Sequence, residues 1–197
     1  MAMQTDLIYN AAWGSHMCMF YKGRDELAAG LTTYFKAGLE NNEFCIWALP
    51  DALGVETARL VLSKEIKNLE YYINRGQIEI SNYHDYYIQD GVFSALNMID
   101  WWIKREKEVL GQEFSGIRVA GDGTDLFNAY AFKMNLYEKE INNVIERMKI
   151  KAICTYSLDS IDTPNILNII AYHRFIIVNR NLGWEVFRAS EINNLFV

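Results

Sequence analysis

Two hydrophobic periods alternate along this chain. Short unbroken apolar runs are separated by longer stretches in which apolar residues recur every three or four positions. The first run, Gly14-Ser15-His16-Met17-Cys18-Met19-Phe20-Tyr21, predicts a buried strand that leaves through Tyr21-Lys22-Gly23. Over residues 24–39 the stripe Leu27, Leu31, Phe35 and Leu39, widened by Tyr34, predicts an amphipathic helix. Phe44–Leu49 is continuously apolar, as expected of a strand covered on both faces. Residues 54–68 carry Val55, Ala58, Leu62 and Ile66 at helical spacing, and 77–81 alternate as a strand does.

The second half repeats the alternation. Residues 82–91 read as an aromatic-rich polar loop, and 91–110 as a helix with Phe93, Leu96, Ile99 and Ile103 inward. A strand over 116–120 ends at Gly121-Asp122-Gly123. A helix over 129–148 follows, with Tyr130, Met134, Tyr137, Ile141, Val144 and Met148 on one face. A strand at 151–156 leads to a helix capped by Thr163 with Pro164 at its first position. Strands at 175–178 and 184–187, joined by an Asn181-Leu182-Gly183 turn, close the chain. Strand–helix alternation of this kind predicts an α/β three-layer sandwich: a mainly parallel sheet with helices on both faces. Without repeats or linkers, residues 1–197 read as one domain, with a core over about 13–180 and a short C-terminal strand extension.

Composition narrows the function classes. A net charge of −6 and scattered Lys and Arg argue against direct nucleic-acid binding. Three widely spaced cysteines, Cys18, Cys45 and Cys154, are not a disulfide framework and point to the cytoplasm. Residues 1–10 lack the pattern of a signal peptide, and no apolar run is long enough to span a membrane. No Ser-His-Asp order, carboxylate pair or Gly-rich loop supports an enzyme, and no cofactor is expected.

Two resemblances sharpen this. Residues 35–43 ahead of an apolar strand, Arg75-Gly76-Gln77-Ile78, and the Walker-B-like Ile117-Arg118-Val119-Ala120-Gly121-Asp122 resemble the RecA/KaiC-like branch of the P-loop ATPase fold. Gly-x-x-x-x-Gly-Lys-Ser/Thr is absent: Lys22-Gly23-Arg24-Asp25-Glu26 stands after Tyr21. More closely, the chain is similar to the MEDS family, the methanogen/methylotroph sensory domain. The matching elements begin with Gly14-x-His16-x-Cys18-x-Phe20-Tyr21, Glu26 and Ala37-Gly38-Leu39-Glu40. They continue with Gly76-Gln77, Gly116-Ile117-Arg118-Val119, Tyr137-Glu138 and Cys154-x-Tyr156. The resemblance implies ligand sensing in prokaryotic signal transduction, of small hydrocarbon derivatives or methylated compounds, beside histidine kinases or transcription regulators. A homo-oligomer is compatible with it. The alternatives are a degenerate KaiC-like nucleotide-binding module and a His/Cys metal or redox sensor.

With RecA-like strand order, two constellations form. At the carboxyl ends of the strands Tyr21, Asp122 and Tyr156 should converge, with Lys22 and Arg24 nearby, where open parallel sheets bind ligands. Toward the opposite edge, Cys18 should lie beside Cys154, and His173 should approach His16, as a candidate metal or redox site. Arg118, in mid-strand, needs a buried counter-charge, for which Glu26 or Glu138 is expected.

Overall fold

The computed structural model describes residues 8–180 and 183–190. In chain order the first half holds β1 (Ser15–Tyr21), α1 (Gly23–Glu40), β2 (Phe44–Leu49), α2 (Val55–Glu65), α3 (Leu69–Asn74) and β3 (Ile78–Asn82). Next come α4 (Tyr83–Tyr87), β4 (Ile88–Gln89), β5 (Val92–Phe93), α5 (Ala95–Gly111) and β6 (Ile117–Asp122). The last elements are α6 (Thr124–Ile145), β7 (Ile150–Ser157), α7 (Thr163–Tyr172), β8 (Phe175–Arg180) and β9 (Gly183–Arg188).

Seven strands form one sheet in the order β3-β2-β6-β7-β1-β8-β9. All neighbours are parallel except β8 and β9, which pair antiparallel at the edge. The sheet is covered on both faces. On one face Met17, Met19 and Tyr21 pack with Leu27, Leu31 and Phe35 of α1 and with Ala58 and Leu62 of α2. On the other, Cys18 and Phe20 pack with Met98 and Trp102 of α5, Met134 and Tyr137 of α6, and Ile169 of α7. This is the expected three-layer α/β architecture. Strand β1, buried at every position, lies between β7 and β8.

Several local expectations are corrected. The stretch 54–68 is not one helix: Ile66 turns extended and Asn68 is left-handed (φ 60°), a conformation Asn tolerates, so α3 starts afresh at Leu69. The supposed loop 82–91 is structured. The Asn82 side chain accepts from the His84 amide to start α4, and Asp90-Gly91, both with positive φ, turn the β4–β5 hairpin. Helix α5 therefore starts only at Ala95, capped by Ser94, and Leu96 faces outward at 66% exposure while Met98 and Trp102 face in. Helix α6 begins at Thr124 rather than 129, with a kink at Tyr130. Asp162, not Thr163, caps α7 by accepting from the Asn165 amide at 2.9 Å. The turn expected at Asn181-Leu182 lies outside the described residues.

Candidate functional site

Strand parity decides which side chains meet at the carboxyl edge. Asp122 ends β6 and Tyr21 ends β1, and both point toward the α1 face. The Tyr21 hydroxyl donates to Asp122 Oδ2 at 2.8 Å. Thr155 of β7 donates to the same oxygen at 2.9 Å, and the Thr124 amide donates to Oδ1 at 3.0 Å. Burial pushes the Asp122 carboxyl up to about 6, against these donors, which work to keep it ionised. Burial also raises the Tyr21 hydroxyl, and the adjacent Asp122 charge adds to this, so the phenol stays protonated and donating.

Above this pair opens a crevice of about 250 Å³, lined by Tyr21, Gly23, Arg24, Asp122, Asp125 and Asp159 among others. The structure thus brings Tyr21, Asp122 and Arg24 to one crevice as expected, but not Tyr156. In the β1–β7 register Phe20 stands opposite Tyr156 and Tyr21 opposite Ser157. Tyr156 therefore shares the face of Phe20 and is fully buried beneath the crevice, on the other side of the sheet. Its ring abuts Gly123, where an added Cβ would lie 2.6 Å from it.

The connection from β1 to α1 is a single residue, Lys22. Its backbone amide donates to the Glu26 side chain. A carboxylate from the chain itself thus occupies the helix N-terminus, the position where an anion would otherwise sit.

On the opposite face Cys18 pairs in register with Cys154, as expected. Two residues earlier on β1, His16 is buried and faces the same way. Its Nε2 lies 3.4 Å from Cys154 Sγ and 3.2 Å from Glu138 Oε2. His173, at the end of α7, stacks on His16 with ring centroids 4.1 Å apart and places Nε2 3.4 Å from the same Glu138 oxygen. Both histidines and Cys154 are expected at this edge from the sequence, whereas Glu138 is expected there only as one of two candidate partners of Arg118. The Tyr156 hydroxyl, on the other face of the sheet from the crevice, donates to Glu138 Oε1 at 2.6 Å. Burial, reinforced by His16, pushes His173 down to about 3 and keeps it neutral. Beside this cluster lies an apolar cavity lined by His16, Tyr87, Trp102, Tyr137 and Cys154. It has room for about one water.

Arg118 does not use Glu26 or Glu138. Its guanidinium pairs with Glu43, which stands just before β2, and Lys151 of β7 donates to the same carboxylate at 2.6 Å. Arg118 also donates to the Tyr34 carbonyl at 3.1 Å and lies over the Tyr34 ring. This is a structural ion cluster on the α1 face. Glu43 was missed because it sits among polar turn residues, where it reads as solvated.

The strand order and the covered faces define a RecA/KaiC-like α/β domain. A solved structure with this fold is the KaiC-like protein PH0186 from the hyperthermophilic archaeon Pyrococcus horikoshii OT3. It is similar at TM-score 0.58 and 12% identity, over 88% of this chain and 76% of that one. No curated protein matches the sequence. Residues 15–174 match the family described as methanogen/methylotroph, DcmR sensory domain (MEDS), and the chain belongs to that family. Among the described residues no helix is long and apolar enough to cross a membrane.

Proposed function

We propose that this chain is a ligand-sensing domain of prokaryotic signal transduction. It binds a small organic molecule in the crevice over Tyr21, Asp122 and Arg24 and does not transform it. The observation that carries the reading is the buried Tyr21–Asp122 pair at the floor of that crevice, in a chain that belongs to a family of sensory domains. Three carboxylates, Asp122, Asp125 and Asp159, face one guanidinium there, so a neutral or cationic head group is favoured over an anion. A methylated compound such as an alkylamine fits: a compact cation with apolar surface.

Asp122 also offers a route for the signal. The carboxylate holds the Thr124 amide, at the first residue of α6, and the Thr155 hydroxyl of β7. A ligand that competes for Asp122 would loosen the start of α6 from the strand ends. It would act as a signal only by binding the two arrangements unequally. The recipient would be a histidine kinase or transcription-regulator module in the cytoplasm, or a second copy of the chain.

The alternative, a residual nucleotide site, is supported by the KaiC-like fold but opposed by the crevice. The one-residue connection between β1 and α1 leaves no loop to wrap a phosphate, and Glu26 already takes the Lys22 amide. Thermal-shift and calorimetric titrations with alkylamines, methanol and halomethanes, against Mg–ATP, discriminate the two. Saturable binding of an organic ligand that is lost in Asp122→Asn supports the sensor. Saturable Mg–ATP binding supports the alternative.

A further inference from the structure

We propose that His16, Glu138, Cys154 and His173 form a binding site for one transition-metal dication of the zinc type. This site lies on the opposite face of the sheet from the crevice and stands independently of the ligand reading. The four side chains come from four elements: β1, α6, β7 and the end of α7. One ligand atom from each lies within 4.8 Å of all the others. A tetrahedral site with N, O and S ligands at ordinary metal distances has ligand–ligand edges of roughly 3.3–3.8 Å. Three edges already have about that length: His16 Nε2 to Glu138 Oε2 at 3.2 Å, His173 Nε2 to the same oxygen at 3.4 Å, and Cys154 Sγ to His16 Nε2 at 3.4 Å.

Outer hydrogen bonds orient His173 and Glu138, while His16 Nδ1 is buried without one. His173 Nδ1 lies 2.7 Å from the Ile169 carbonyl, which can only accept, so the ring proton sits on Nδ1 and Nε2 is left as a lone pair. The Tyr156 hydroxyl engages Glu138 Oε1, leaving Oε2 turned inward. Of those two inward atoms, His173 Nε2 is buried without a hydrogen-bond partner, and Glu138 Oε2 has no well-aligned one, its nearest neighbour being His16 Nε2 at 3.2 Å. Two acceptors facing each other at 3.4 Å in an enclosed site repel unless a proton or a metal cation lies between them. A neutral network through His16 does not supply one to His173. Two anionic ligands, carboxylate and thiolate, with two neutral imidazoles also bring a dication to zero net charge, which an apolar interior favours. A metal here would tie α6 and α7 to the centre of the sheet, so its occupancy would couple to helix position.

The test uses untagged full-length chain. Apoprotein is titrated with Co²⁺ and, separately, Zn²⁺, and the purified protein is analysed for bound metals. One equivalent per chain is expected, with a near-ultraviolet thiolate-to-cobalt band and visible bands of tetrahedral intensity. The thiolate band should vanish in Cys154→Ser while the visible bands persist. His173→Gln should weaken Zn²⁺ binding at least tenfold, the low end of the effect expected even for a supporting residue. Far-UV circular dichroism checks that the variants fold, and the wild-type spectrum answers the question even where one does not. Absence of saturable one-to-one binding, or a thiolate band that survives Cys154→Ser, overturns the site and leaves a metal-free hydrogen-bonded cluster.

Discussion

Arg118 and Glu43 form an ion pair between the inner strand β6 and the start of β2, with neither side chain more than 2% exposed. Lys151 shares the same carboxylate, so a single anion holds two cations against the α1 face. Replacing Glu43 by Gln would leave both without a counter-charge. Removing one partner of a buried pair typically costs about 3–5 kcal/mol. Glu43→Gln should therefore be among the most destabilising single changes, read as a lower urea midpoint at unchanged slope. A loss under about 1 kcal/mol would show that water reaches the cluster.

The same region explains a small residue on α1. A Cβ added at Gly38 would lie 2.7 Å from both Arg118 Cδ and Cys45 Sγ. Alanine is the better helix former, yet here it must push α1 off the sheet or displace the guanidinium from Glu43. Gly38→Ala should destabilise by about 1–3 kcal/mol, the usual range for overpacking, against a gain of about 1 kcal/mol at an open helical position. Equilibrium denaturation separates the two signs.

Asp122 sets a pH dependence of definite sign. Its folded-state pKa, about 6, lies above the ordinary carboxylate value. Between about pH 4 and 6 the folded chain therefore binds more protons than the unfolded one, and this residue's contribution to stability falls as pH rises through that window. A shift of about two units corresponds to roughly 3 kcal/mol at 1.36 kcal/mol per unit. Asp122→Asn should flatten the fall in thermal midpoint between pH 4 and 6.5 relative to wild type. An identical pH profile in the variant would place Asp122 in wetter surroundings than the structure gives it.

Tyr21→Phe removes the hydroxyl that donates to Asp122 at 2.8 Å. Losing one donor to a buried carboxylate costs about 1–3 kcal/mol and raises the carboxyl further. The pH-dependent fall should then extend to higher pH in the variant, its lower edge staying at the unfolded carboxyl value. A shift to lower pH would mean that the hydroxyl does not serve the carboxylate.

Much of this was legible in the sequence because apolar period and burial agree along the central strands. The unbroken run at 44–49 reads as a strand covered on both faces, and 151–156 as a further strand. The adjacency of Cys18 and Cys154 follows from the strand order that the RecA/KaiC-like resemblance implies. Side-chain direction and short polar signals are harder to read. Cys154 and Tyr156, two residues apart, must share a face, whereas Cys18 and Tyr21, three apart, cannot. Joining Cys154 to Cys18 therefore already excluded Tyr156 from the face of Tyr21. Asp90-Gly91 was a hairpin turn concealed in an aromatic stretch. Glu43 and Glu138 were not assignable to their partners from sequence, because a helix or turn carboxylate can reach several strands and only packing selects which.

The central claim is that a small organic molecule binds over Tyr21 and Asp122. Isothermal titration of the wild-type chain and of Asp122→Asn with an alkylamine series at pH 7.5 tests it most directly. The account predicts saturable one-to-one binding by wild type, weakened at least tenfold in the variant, with the anionic Mg–ATP giving no comparable heat. Equal affinity in wild type and variant, or binding of Mg–ATP alone, would contradict it.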